Sequence, residues 1–188
     1  MKYTDIRDQL QTGDVLLFSG RGLASLLIRL RTWSWSSHVG MVYRVGTHKQ
    51  DVMVWESTRL TGVDGVQISL LSVRGKTYNG KIRVRRLFTR RDNEFYNTIH
   101  ALRAEVEGTK YERNWWELLG AAAIWRNKAS LTYLFCSELV ALAFKRWGLL
   151  RNGVPENEYV PGDFEFGGKI DRKLVTGSHL GPEIDIEF

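Results

Sequence analysis

The chain contains a single cysteine, and its position at the start of a helical pattern allows nucleophilic chemistry. Cys136 opens the segment CSELVALAFKRWG, in which apolar residues recur at helical spacing and Gly148 marks the end. A helix N-terminus carries about half a positive charge, which stabilises a thiolate over a thiol. Its free N–H groups can also bind the oxyanion of a tetrahedral intermediate. Because a free cysteine often merely packs in a core, a structural role stays open on spacing alone.

A cysteine nucleophile needs a base, and four histidines compete for that role. His38 begins the run HVGMVYRV, in which a strand backbone would hold the imidazole ring rigidly. The other three are less well placed: His48 lies in a polar turn, His100 in the middle of a helical pattern and His179 in a glycine-rich tail. The sequence therefore favours His38 as the base.

A third polar group is needed to orient the base, and Glu56 fits that requirement. In DVMVWEST it shares the alternation of Val52 and Val54, so its side chain is predicted to lie on the same side as those apolar residues. A carboxylate in such surroundings needs a partner, which His38 on an adjacent strand would provide. An ion pair with Arg59 at a frayed strand end is the alternative.

The elements that must position these residues follow an α+β order. Strands are predicted at 13–20, 38–45, 51–58, 66–70, 81–87 and 183–188. Helices are predicted at 23–33, 91–108, 114–127 (with Asn114 as N-cap) and 136–148. The length of 188 residues fits one domain, residues 1–188, that can bury a substantial core.

Composition excludes several classes of protein. Hydrophobic residues make up 43% and charged residues 26%, which are ordinary values for a globular domain. No segment reaches the roughly 20 apolar residues that span a bilayer, and the polar N-terminus lacks a secretion signal, so a cytoplasmic location is expected. A single cysteine excludes internal disulfides and a multi-cysteine zinc site. No metal and no cofactor are predicted.

The net charge of +6 is unevenly distributed. Residues 74–91 contain eight Lys or Arg and no acid, and KIRVRRL alternates basic with apolar residues. This pattern predicts a strand with one wet, basic face. Such a face either protects a sheet edge or binds an anionic partner through Arg83, Arg85 and Arg86. No helix-turn-helix, RNA-binding aromatic motif or zinc module favours nucleic acid.

The order of the motifs resembles a known family. GDVLLFSG, a short helix, SHVGMVY, VWES, GTKY and FCSELV follow one another over residues 13 to about 165. This order is similar to that of the circularly permuted NlpC-like, papain-fold cysteine hydrolases, the YiiX/YaeF-like group, in which the histidine strand precedes the nucleophile helix. The resemblance implies an α+β permuted papain-like fold. In that fold an antiparallel sheet or small barrel packs against helices, with the nucleophile at a helix N-terminus.

The resemblance also implies roles for particular residues. Cys136 matches the nucleophile, His38 the general base and Glu56 the residue that orients the imidazole. Tyr111 in GTKYERN and Ser37 in SHVG are expected to contact the substrate. The glutamate after Tyr111 departs from the aspartate that is usual there. The segment YVPGDF and the GD turn near the N-terminus also match family features. Both are expected to have structural roles only.

The implied reaction is acyl transfer, with hydrolysis of an amide bond in a peptide, isopeptide-like or peptidoglycan-like substrate as the first interpretation. A thioesterase or acyltransferase acting on lipid, including lipid amides, is the alternative within the same fold. The helix in LASLLIRLRTWSW would suit a lipid surface, although it is more simply interpreted as part of the core. A different class also stays open, a non-catalytic binding protein that uses the basic strand 81–87 as its contact surface.

Overall fold

A single open antiparallel sheet forms the centre of the fold. The fold is seen in a computed structural model that describes residues 1–44, 52–58, 64–110, 135–151 and 153–188. Within those ranges the sheet has six strands: β1 Val15–Gly20, β2 His38–Arg44, β3 Val52–Thr58, β4 Gly65–Leu70, β5 Gly80–Phe88 and β6 His179–Ile186. Their order across the sheet is β4-β3-β2-β1-β5-β6. The strand that begins at His38 therefore lies between β1 and β3.

Helices flank the sheet. Their bounds are α1 Tyr3–Ile6, α2 Leu23–Thr32, α3 Leu71–Thr77, α4 Asn93–Val106, α5 Cys136–Arg146 and α6 Lys169–Lys173. Short 3-10 helices span Arg7–Gln9, Glu156–Glu158 and Pro161–Phe164. The helix predicted at 114–127, with Asn114 as its cap, and the turn at His48 lie outside the described residues. None of the helices in the described part of the chain is long and apolar enough to cross a membrane.

Both faces of the central strands are buried. Val15 and Leu17 of β1 pack in the core that α4 and α5 cover, whereas Leu16 and Phe18 pack in a second core with Leu71 of α3. Alternate residues of a strand point to opposite faces, so a strand covered on both sides must be apolar throughout. This requirement explains the unbroken apolar run that begins β1.

The long helix α4 forms as predicted. The Asp92 side chain caps it by accepting a hydrogen bond from the backbone N–H of Phe95 at 3.1 Å. Gly108, with a φ of +79°, follows its end. The predicted apolar stripe is buried in full: Phe95, Ile99, Leu102 and Val106.

Helix α2 also forms, but its predicted place in the core is wrong. No residue of α2 is buried, and the side chains of Leu23 and Leu30 are 80% and 63% exposed. The periodicity of a sequence shows that a helix has an apolar face, but it does not show whether another element covers that face. The structure leaves this face of α2 in contact with solvent.

The prediction of a wet, basic face on β5 is also wrong. β5 lies between β1 and β6 rather than at an edge of the sheet. Arg85 is fully buried and pairs with Asp171, while Arg86 pairs with the buried Asp14. Arg83 pairs with two acidic residues of β6. The three arginines therefore form ion pairs within the protein. The sequence pattern did not show these pairs, because the acidic partners come from distant parts of the chain.

Candidate active site

The first residue of β2 and the first residue of α5 meet at one end of the sheet. His38 begins β2, Cys136 begins α5, and α5 packs on β2 and β3. Cys136 lies close enough to His38 to raise the pKa of the imidazole. The two side chains are nearly enclosed, with 5% of Cys136 and 7% of His38 exposed. The fold thus pairs a thiol with an imidazole from a distant part of the sequence.

Glu56 is the hydrogen-bond partner of the imidazole on the side away from the thiol. Its Oε2 lies 2.5 Å from His38 Nε2, and the residue is fully buried. The predicted face is confirmed, since Val52 and Val54 lie in the core on the α3 side of the sheet, where Glu56 also finds its partners. The alternative partner, Arg59, lies outside the described residues.

Arg74 is the residue of this site that sequence reasoning missed. It lies on α3 and is buried, and its Nε donates a hydrogen bond to Glu56 Oε1 at 2.7 Å. Its Nη2 donates to Glu56 Oε2 at 3.3 Å. The guanidinium also lies over the rings of Phe18 and Tyr78, 5.2 and 4.9 Å from their centroids. A buried Glu56 requires a cationic partner, and this requirement was the signal in the sequence. Residues 74–91 contain eight Lys or Arg, however, and the sequence does not indicate which of them faces Glu56.

Glu56 is ionised throughout the range in which most enzymes work. Burial by itself raises the pKa of its carboxyl group. The hydrogen bonds and positive charges of His38 and Arg74 outweigh that effect and lower the pKa of Glu56 to about 2. The site therefore holds a permanent negative charge beside the imidazole.

The charge of His38 follows from its two neighbours. Burial lowers the pKa of the imidazole, whereas the charge and hydrogen bond of Cys136, followed by those of Glu56, raise the pKa to about 9. Since Nε2 faces Glu56, Nδ1 is the ring nitrogen left to face the thiol. A protonated ring donates from both nitrogens, so it can stabilise a Cys136 thiolate and a Glu56 carboxylate together.

The N-terminus of α5 is anchored on both sides of Cys136. The Glu138 side chain accepts a hydrogen bond from the backbone N–H of Phe135 at 2.7 Å. The Ser137 hydroxyl donates to the Tyr159 carbonyl at 2.6 Å, which ties the helix to the segment YVPGDF. These bonds hold the first turn of α5 in place.

Of the two residues predicted to contact substrate, the structure describes only Ser37. Tyr111 lies outside the described residues. Ser37 is buried, and its hydroxyl accepts a hydrogen bond from the Gly20 N–H and donates one to the Phe18 carbonyl, both at 3.3 Å. Those partners hold the start of β2 against β1. Contact of Ser37 and Tyr111 with substrate stays a prediction.

Comparison with known families defines the class of protein. A family model described as a permuted papain-like amidase enzyme of the YaeF/YiiX, C92 family matches residues 9–154. The chain belongs to this family, and the resemblance predicted from the motif order is confirmed. Membership makes the protein a cysteine peptidase- or amidase-like enzyme that acts on the amide bonds of a peptide-like substrate.

A solved structure shares the fold. The crystal structure of a protein described as metalloprotein YiiX from Escherichia coli O157:H7 matches with a TM-score of 0.55. The two sequences are 24% identical, and the match covers 78% of this chain and 71% of that one. A search of curated proteins gave no match. The α+β, permuted papain-like fold expected from the sequence is confirmed, as an open antiparallel sheet rather than a barrel.

Proposed function

We propose that the protein hydrolyses an amide bond through an acyl-enzyme on Cys136, with His38 as the acid and base and Glu56 as the carboxylate that orients the imidazole. The observation that carries this proposal is the buried chain of polar contacts from Arg74 through Glu56 and His38 to Cys136. A chain of this kind fixes the orientation of the ring and keeps it protonated beside the sulfur. A cysteine that only packs in the core has no need of it.

The proposed reaction begins from a Cys136 thiolate and a His38 imidazolium. The thiolate attacks the carbonyl carbon, and N–H groups at the start of α5 stabilise the oxyanion. The C–N bond then breaks, and the His38 proton passes to the leaving amine. Water attacks the resulting thioester while His38 accepts its proton. The carboxylic acid product leaves, and the thiolate and imidazolium are restored.

The description of the E. coli protein as a metalloprotein does not alter these steps. Among the described residues, no group of three or more His, Cys, Asp and Glu side chains is arranged to hold a metal ion. His38 Nε2 and the carboxylate of Glu56 are instead engaged with each other, and Glu56 also accepts from the guanidinium of Arg74. The described residues therefore do not fit a metal, and the proposed reaction uses none.

A second candidate reaction uses the same nucleophile on a lipid-linked acyl group. The observation that favours it is the exposed apolar face of α2, which precedes His38 in the chain by one short loop. A thioester or lipid amide bound along that face would reach the site from this side. The first step would again be acylation of Cys136.

Thiol labelling tests the proposed nucleophile and base. We expect iodoacetamide to modify Cys136 of the folded protein near neutral pH about a hundredfold faster than it modifies the same cysteine in urea. The variant His38→Ala should lose most of that advantage, because the thiolate loses its imidazolium. The matched control is His100→Ala, which removes a histidine that hydrogen-bonds to Tyr43 and not to the site.

Labelling of the folded protein no faster than in urea would overturn the proposal and favour a non-catalytic binding protein. Mass spectrometry with peptide amides and acyl thioesters then separates the two candidate reactions. An acyl adduct on Cys136 formed from peptide amides supports the amidase. An adduct formed only from thioesters favours the second candidate.

A further inference from the structure

Helix α2 presents an apolar stripe to solvent. Its four leucines recur at helical spacing and so lie on one face, and Trp33 follows the last turn of the helix. They are 80%, 40%, 45%, 63% and 96% exposed, in this order: Leu23, Leu26, Leu27, Leu30 and Trp33. Single exposed leucines are common on protein surfaces, but a contiguous stripe along a whole helix marks a surface that binds something.

Trp33 adds an independent observation. It caps the C-terminus of α2 in the left-handed conformation, with a φ of 50°, and it is the one non-glycine residue of the described ranges with a positive φ. An L-residue with a large side chain rarely adopts this conformation. The left-handed cap ends the helix, and the indole of Trp33 is 96% exposed.

The charged residues of the segment that carries the α2 stripe have one sign. Residues 15–50 contain no Asp or Glu. Arg21 and Arg31 are exposed at the two ends of α2, and Arg29 donates a hydrogen bond to the Ser19 hydroxyl at 2.9 Å from a half-buried position. This segment of the chain thus combines apolar side chains, a tryptophan and arginines, and it contributes no carboxylate of its own.

We propose that the α2 stripe docks on the surface of a lipid bilayer that contains anionic lipid. The leucines would enter the boundary between head groups and acyl chains, the indole would lie at the interface, and the arginines would contact anionic head groups. A second copy of the chain is a poorer occupant. A symmetric contact through α2 would bring Arg21 and Arg31 of one chain near the same residues of the other.

Docking of this kind would orient the site. α2 ends one short loop before His38, and this loop is fixed because the backbone N–H and the hydroxyl of Ser36 both donate to Glu165 at 2.7 Å. A bilayer in contact with Trp33 would therefore touch the chain five residues before His38. This surface depends on α2 alone, so the docking does not require the proposed hydrolysis.

Vesicle flotation tests the docking. We expect the full chain to float with phosphatidylcholine vesicles that contain phosphatidylserine, and to float less with phosphatidylcholine alone. The double variant Leu27→Ser/Leu30→Ser should lower the partition coefficient by about tenfold or more, because two side chains no longer bury apolar area. Arg21→Ala/Arg31→Ala should weaken binding to the anionic vesicles only.

The matched control is Tyr96→Ser, which removes a partly exposed aromatic side chain from α4 and should leave flotation unchanged. Thermal unfolding checks that each variant keeps its fold. Absence of flotation with either vesicle, or native-like flotation of Leu27→Ser/Leu30→Ser, would overturn the proposal. So would a native dimer that the same double variant converts to a monomer without vesicles, since a second copy would then cover the stripe.

Discussion

His38 lies between two groups that carry negative charge when ionised, and this position decides its protonation state. An isolated imidazole is mostly neutral at pH 7, but the proximity of Cys136 and Glu56 more than compensates for burial and raises the pKa to about 9. The residue therefore enters the proposed reaction as an acid and acts as a base only after the amine has left.

Titration by NMR can test the raised pKa of His38 directly. We expect the ring of His38 to titrate near pH 9 in the native protein and at lower pH in Cys136→Ala and in Glu56→Gln, because each substitution removes one source of negative charge. The His38→Ala spectrum assigns the signal. A native ring that titrates near the ordinary value of 6.5 would contradict the expectation.

The same shift makes stability depend on pH. Because the pKa of His38 is higher in the folded than in the unfolded chain, its contribution to the free energy of unfolding is complete below about pH 6.5. It is lost as the pH rises through about 9. The pKa of Glu56 is lowered to about 2, so its contribution is present above the ordinary value of 4.5 and is lost only as the pH falls through about 2.

At the scale of elements, the seven-residue helix α3 completes the site. It follows β4 directly, and Leu71 anchors it in the core. Arg74 lies three residues further on, hence on the same side of the helix, and reaches Glu56. Gly75 allows the close packing of α3 against the C-terminus, because a Cβ at this position would come within 2.3 Å of the Phe188 ring.

Substitution of Arg74 measures the contribution of this element. We expect Arg74→Met to lower the free energy of unfolding by about 3 kcal/mol or more, because it leaves a buried carboxylate with only one charged partner. The matched control is Arg146→Met, which breaks an exposed pair with Glu105 and should cost about 1 kcal/mol or less. Urea denaturation measures both values.

A functional measurement separates positioning from stability in the same variant. Arg74→Met should slow labelling of Cys136 under conditions in which the variant remains folded, because Glu56 no longer holds the ring of His38 in place. Arg74→Lys, which keeps the charge, should restore part of the rate. Equal unfolding free energies for Arg74→Met and Arg146→Met, with unchanged labelling, would contradict a role for α3 in the site.

At the scale of the whole molecule, Arg85 joins the C-terminal segments to the sheet. The guanidinium donates from β5 to the carbonyls of Phe164 and Glu165 at 3.0 Å and to that of Gly181 at 2.8 Å. It also binds both oxygens of Asp171, at 2.9 and 3.0 Å. One buried cation thus satisfies acceptors from three separate segments, which explains how a fully buried arginine is tolerated.

Replacement of this cation should weaken the whole structure. We expect Arg85→Met to lower the free energy of unfolding by about 3–5 kcal/mol, because it leaves several buried acceptors unpaired. It should also speed amide hydrogen exchange in residues 164–181. Lys81→Met, an exposed position on the same strand, is the matched control. Coincident urea transitions for the two variants would show that Arg85 does not join these segments.

Several features of the fold and of the site could be predicted from the sequence alone. The stripe of α4, the start of α5 at Cys136 and the side of the sheet that Glu56 faces all follow from periodicities of 3.6 and 2 residues. These features depend on neighbours in the chain, so a short stretch of sequence contains the information. The order of the motifs then sufficed to indicate the family.

Tertiary structure decided the rest. The pairing of Arg74 with Glu56, the burial of Arg85 and the exposure of the α2 stripe each depend on which distant element packs against a given face. Side-chain periodicity gives the direction of a residue relative to its own element, but not what lies opposite it. The sequence pattern around an arginine in a basic stretch is therefore the same whether its side chain contacts water or a carboxylate. Only the folded chain shows which of the two it contacts.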